Sequence, residues 1–143
     1  MENYFKFGAL LLLASLIIIG CTKVGGAAAE DTPDAIDQND DVFPVITVSK
    51  PADNQVYTSG DSIIVEGGVT DDKIVYKGKV LIKNDANLVL ADANYESHYL
   101  TAISYRLAYK AIVTAPTDFT ILIEFQDHGA NVATKTLKVK MNP

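Results

Sequence analysis

Cysteine is nearly missing from this chain: among 143 residues only Cys21 carries a thiol. A single cysteine excludes any disulfide within the chain and any thiolate metal cluster. Histidine is scarce as well, with only His98 and His128 present. Basic excess is lacking too, since the formal net charge is −6. Residues 30–41 hold Glu30, Asp31, Asp34, Asp37, Asp40 and Asp41 with no Lys or Arg, whereas from residue 42 onward 11 acidic side chains meet 10 basic ones. The acidity belongs to one segment. Neither part has the basic face that a phosphate backbone requires, so nucleic acid is excluded as a partner. No Gly-x-Ser-x-Gly elbow, phosphate-cradling glycine loop or His-Glu-x-x-His occurs. The residue sets of serine hydrolases, nucleotide-dependent enzymes and zinc hydrolases are therefore missing. His98 and His128 read as ordinary loop histidines, a small hydrolase finds no constellation, and the chain is expected not to be an enzyme.

What is present begins with an apolar run. Residues 9–19, broken only by Ser15, follow Lys6 and lead at once into Gly20-Cys21. A charged start, a short apolar core and small residues at the cut are the order of a secretory leader, and the run is too short to span a bilayer. The stretch Ile18-Ile19-Gly20-Cys21 resembles the lipobox of bacterial lipoproteins. That resemblance implies removal of residues 1–20, a diacylglyceryl group on the Cys21 thiol, and acylation of the new amine by a chain such as palmitate. Two or more acyl chains hold a protein stably at a membrane without a transmembrane helix. The expected location is the cell envelope at the outer membrane, with the exposed side left open.

Residues 21–43 combine Gly, Ala, Pro and acidic side chains without a periodic apolar face. Such a segment buries too little to offset its ordering entropy and is expected to be a disordered tether. Its acidic spacing lacks the Gly and terminal Glu of the twelve-residue calcium loop.

From Pro44 the pattern turns to period two, the mark of half-buried strands. Ile46 and Val48, Ile63 to Val69, Val80 and Ile82, Leu88 to Leu90, Tyr105 to Val113, Phe119 to Phe125, and Leu137 to Met141 form the apolar series. Turn-forming clusters separate them, among them Pro51-Ala52-Asp53-Asn54, Asn84-Asp85 and His128-Gly129-Ala130-Asn131. About seven short strands in residues 44–143 predict an all-β antiparallel sandwich. Residues 92–103 lack clear alternation and are expected to hold a helical turn or an irregular crossing.

The opening Pro44-Val45-Ile46-Thr47-Val48-Ser49-Lys50-Pro51, the stretch Gln55 to Gly60, and the run Ile63 to Val69 ending in Thr70-Asp71-Asp72 resemble the start of bacterial immunoglobulin-like domains. The segment Phe125 to Leu137 is similar to their last hairpin, in which an Asp-x-x-Gly-Asn turn joins the final two strands; here the order is Asp127-His128-Gly129-Ala130-Asn131. The whole chain is similar to Bacteroides-group lipoproteins that join a lipobox, an acidic tether and one such domain. The resemblance implies an immunoglobulin-like fold; a fold by itself names no function.

Two site readings follow from the residues. Loops cluster at the ends of a sandwich, so Asp71 and Asp72 after one strand, with Asp127 and Asn131 after another, are weak candidates for a Ca2+ site; capping of their own turns is the plainer role. Tyr95, Tyr99, Tyr105 and Tyr109 fall within fifteen residues, near Glu96, His98 and Arg106. Tyr105 and Tyr109 are in phase with Leu107 and expected in the core, while Tyr95, Tyr99 and His98 are candidates for ligand contact through flat rings with polar tips. The expected function is a non-catalytic binding or adhesion module for a glycan, or for an envelope or extracellular protein. The alternative is a structural accessory subunit docking on an envelope complex.

Overall fold

A computed structural model describes residues 39–143. The expected leader, the lipidation residue Cys21 and most of the expected tether lie outside the described residues. Eight strands follow in order: β1 (Val45–Lys50), β2 (Gln55–Thr58), β3 (Ser62–Thr70), β4 (Val75–Asn84), β5 (Val89–Glu96), β6 (Ala102–Lys110), β7 (Thr117–Asp127) and β8 (Val132–Asn142). They form a three-stranded sheet, β1-β3-β6, and a five-stranded sheet, β2-β8-β7-β4-β5. This partition is that of an immunoglobulin-like sandwich, with β8-β7-β4 in the place of its G-F-C strands and β1-β3-β6 in the place of A-B-E. No helix among the described residues is long and apolar enough to cross a membrane.

The alternation that predicts strands also selects the inward face. Along β7, Phe119, Ile121, Ile123 and Phe125 are buried while Thr120, Leu122 and Glu124 are only half-buried. Ile63, Val65 and Val69 of β3 face them from the other sheet, with Val80 and Ile82 of β4 and Leu137, Val139 and Met141 of β8 completing the core. Tyr105 and Tyr109 take the expected inward positions: Tyr105 is buried, and Tyr109 packs against the core with its ring 6.3 Å from that of Phe119.

Three expectations change. The strand count is eight because Gln55–Thr58 forms a short edge strand, β2. That strand runs parallel to β8, so the sandwich is not wholly antiparallel. The chain keeps its direction as it leaves β1 and crosses between sheets, which makes a parallel pairing with β8 unavoidable. Second, residues 92–96 belong to β5 and pair in regular register with Lys77 to Leu81 of β4; the irregular part is confined to residues 97–101. Third, the expected tether does not extend to residue 43. Asp40 is buried, and the Asn131 side chain donates hydrogen bonds to the carbonyls of Asp40 and Val42.

The β7–β8 turn explains its own departure from the Asp-x-x-Gly-Asn pattern. Ala130, in the place of the pattern's glycine, has φ of 67°. Gly129 serves a different need: a Cβ there would stand 2.6 Å from the Asp40 Cβ and 2.8 Å from the Asp40 carbonyl oxygen. The glycine has moved to where the incoming chain passes closest, leaving alanine in the left-handed conformation. Such a conformation costs an L-residue about 1–2 kcal/mol, part of which glycine returns through its greater unfolded-state freedom. Ala130→Gly is therefore expected to stabilise the fold by about 0.5–1 kcal/mol, read as a higher urea midpoint at unchanged slope. An unchanged or lower midpoint would show that the turn bears no strain.

Candidate functional site at one end of the sandwich

Antiparallel connectivity carries the β3–β4 loop (residues 71–74), the β5–β6 loop (97–101), the β7–β8 turn (128–131) and the approach to β1 (39–44) to one end of the sandwich. Backbone hydrogen bonds join them. The Asp71 amide donates to the Thr101 carbonyl at 2.8 Å, Val75 to Leu100 at 2.9 Å, Ser97 to Tyr76 at 2.7 Å, and His128 to Ile74 at 3.2 Å. The β5–β6 loop is further held by the Leu100 amide donating to Ser97 Oγ at 3.2 Å.

Aromatic rings gather on one side of this end. The His128 ring meets that of Tyr76 edge-on at 4.7 Å, and His98 lies 5.7 Å from Tyr76 and 6.3 Å from both His128 and Tyr99. His98 Nε2 stands 3.5 Å from Glu96 Oε1. His128 is buried and Tyr76 and His98 are half-buried, but Tyr99 is 76% exposed and Leu100 54% exposed. Two histidines thirty residues apart thus share one tyrosine, which only the closure of the β5–β6 loop onto the β7–β8 turn brings about. A groove of about 450 Å³ continues from Tyr76 and Glu96 along the outer face of the larger sheet, past Lys77, Lys79, Glu124 and Gln126. Lys79 and Glu124 pair across it at 2.8 Å, so its charge is largely balanced.

The three residues singled out for ligand contact separate. Tyr99 and His98 lie in the loop, but Tyr95 stays in strand phase and turns inward. Its hydroxyl donates to the Arg106 carbonyl and accepts from the Arg106 amide, both at 2.8 Å, and its ring packs 5.8 Å from Phe125. β5 and β6 are edges of different sheets, so Tyr95 clasps the open flank of the sandwich. Three residues lie between Tyr95 and Tyr99, and the end of β5 falls among them.

The acidic candidates regroup as well. Both Asp127 oxygens accept from Asn131, Oδ1 from its amide at 2.8 Å and Oδ2 from its side chain at 2.9 Å. These two residues cap their own turn. Asp71 and Asp72 instead come together with Asp40, with carboxylate oxygens of all three within 4.8 Å of one another. Asp40 sits in the stretch read as tether, and only its tertiary contact with the β7–β8 turn reveals it. Burial raises the Asp71 carboxyl above its ordinary pKa; the hydrogen bond from the Lys73 amide opposes this, and the charges of Asp127, Asp40 and Asp72 add to it.

No protein-family model matches the sequence, and a comparison with curated proteins finds no match. Among solved structures, an engineered protein is similar over 70% of this chain and 20% of its own length, at 16% identity and a TM-score of 0.48. Fibronectin(III)-like modules of Clostridium thermocellum CbhA are similar over 71% of this chain and 46% of theirs, at 17% identity and a TM-score of 0.45. CopC from Methylosinus trichosporium OB3b is similar over 71% of this chain and 93% of its own, at 12% identity and a TM-score of 0.44. The chain thus spans less than half the length of the first two. The class assigned here, an immunoglobulin-like β-sandwich module, is read from the strand order and register.

Proposed function

We propose that this protein is a lipid-anchored component of the cell envelope, fastened at the outer membrane through Cys21, that presents a non-catalytic immunoglobulin-like module for recognising a glycan or a protein. The observation that carries the reading is the loop end itself. A rigid sandwich holds Tyr99 and Leu100 in the open beside the half-buried Tyr76 and His98 and the buried His128, and recognition residues commonly sit on loops held by such a scaffold. Exposed tyrosine supplies contact area at small entropic cost, and the groove leading away from it offers alternating donors and acceptors to a polyhydroxylated or peptide ligand.

Two measurements test it. Metabolic labelling with a radioactive fatty acid is expected to mark the wild-type chain and not a Cys21→Ser variant, which is also released from membranes. Full-length protein in detergent, applied to arrays of surface glycans and envelope proteins, is expected to retain a ligand whose affinity falls at least about tenfold on Tyr99→Ala, the loss of a modest hot spot. Unchanged binding by Tyr99→Ala and by Leu100→Ala would move recognition away from this end. Retention of one envelope protein in fixed ratio, insensitive to both changes, would favour the accessory-subunit reading.

A further inference from the structure

We propose that Asp40, Asp71 and Asp72 form a binding site for a hard divalent cation of the calcium class, which bolts the chain entering β1 to the β3–β4 loop. The donor set consists of carboxylate oxygens from two segments 31 residues apart in sequence. Their mutual separations, within 4.8 Å, suit donors around an ion whose bonds to oxygen run about 2.3–2.6 Å, since opposed donors then lie roughly 5 Å apart. Magnesium, with a stricter octahedron and a tightly held water shell, is bound less readily by three protein carboxylates.

A second observation, independent of the clustering, points to a missing ligand. Asp40 is only 7% exposed, and while its Oδ1 accepts from the Val42 amide at 3.2 Å, its Oδ2 is buried and accepts no hydrogen bond from any described residue. Asp71 repeats the arrangement, with Oδ1 accepting from the Lys73 amide at 3.0 Å and Oδ2 buried without such a partner. A buried carboxylate oxygen left unpaired is costly, and two of them on side chains of one acidic cluster are costlier still. Lys73 brings one positive charge to the rim, where its ammonium donates to the Asn39 carbonyl at 3.3 Å. Against it stand Asp40, Asp71 and Asp72, with Asp127 buried behind them. A divalent cation balances this surplus and uses the idle oxygens. The exposed Asp72 leaves room for water to complete the coordination.

The fold already prepares the site. The Asn131 side chain holds the carbonyls of Asp40 and Val42, and Gly129 lets the chain pass close enough to place Asp40 opposite the loop. The oxygens are thus pre-positioned by contacts that do not involve the ion.

Thermal unfolding of the full chain in detergent tests the proposal. Affinity in the range of extracellular calcium modules, roughly 10⁻⁴–10⁻³ M, predicts that about 10 mM CaCl2 raises the unfolding temperature over EDTA by roughly 5–20 °C, and that equal MgCl2 does much less. Asp40→Asn and Asp72→Asn are expected to shrink the calcium-minus-EDTA difference to under about 2 °C, while Asp92→Asn on β5 keeps it. In EDTA the two site variants should unfold no earlier than wild type, because each removes a repelling charge. Should Asp40→Asn fail to fold, the exposed Asp72→Asn still decides the matter. No calcium-dependent shift, an equal shift with magnesium, or a full shift retained in Asp72→Asn would each overturn the assignment.

Discussion

Phe125→Ala is expected to cost about 3–5 kcal/mol, the range for truncating a fully buried phenylalanine, and to leave the domain close to unfolding. Phe125 is wholly buried on β7. Its ring lies between those of Tyr95, at 5.8 Å, and Tyr105, at 5.6 Å, and it lies over Gly78, whose missing side chain makes the space. The three rings come from β5, β6 and β7, so the truncation opens a void in the layer where both sheets meet the clasped flank. Neighbours cannot close it cheaply, because the Tyr95 and Tyr105 hydroxyls are each fixed to backbone groups. Denaturant unfolding should show a large fall in midpoint. A loss below about 1.5 kcal/mol, the upper limit for a well-tolerated core change, would mean that the ring stack is not the centre of the core.

Gly67→Ala is expected to cost about 3 kcal/mol or more, through overpacking together with a lost buried hydrogen bond. Along β3 the inward positions run Ile63, Val65, Gly67 and Val69, and the glycine vacates its share of the core to the phenol of Tyr105 on the paired strand. Across that gap the Tyr105 hydroxyl donates to the Thr47 carbonyl of β1 at 2.8 Å. Burial, with a smaller contribution from Tyr95, pushes the Tyr105 pKa up to about 12, so the group remains a donor throughout the physiological range. A Cβ on residue 67 would collide with both the hydroxyl and the Thr47 carbonyl. The first can be removed by mutation, whereas the second is backbone. Tyr105→Phe alone should cost about 1–2 kcal/mol for the unmet hydrogen bond. The double change should cost less than the sum of the two singles, yet more than Tyr105→Phe alone. Simple additivity of the two would show that residue 67 and the phenol do not compete for the same space.

The parts of this fold that can be read from the sequence are those whose partner is the core as a whole. β7 and β3 announce themselves because every second residue is apolar and the core accepts any of them. β2 stays hidden because only Val56 and Tyr57 among its four residues are apolar, and Val56 is exposed; its pairing with β8 is decided by the path of the chain. Tyr95 and Tyr99 look alike in one dimension. They part company because β5 runs as far as Glu96, a limit set by its ladder with β4. Asp40 is indistinguishable by composition from the acidic residues before it. Its burial depends on Asn131 and Gly129, some ninety residues later, so no local pattern carries the signal.

The chain enters β1 at the same end of the sandwich that presents Tyr99, while β8 finishes at the far end. If the anchor pulls through residue 39 and a ligand grips the β5–β6 loop, tension crosses only the loops of that end, from the approach to β1 through the β3–β4 loop to Thr101. The strand ladders then lie off the line of force. A module loaded in that way would act as a short hook whose mechanical strength resides in the contacts around Asp40, with a resistance to load separable from the thermodynamic stability of the sheets behind it.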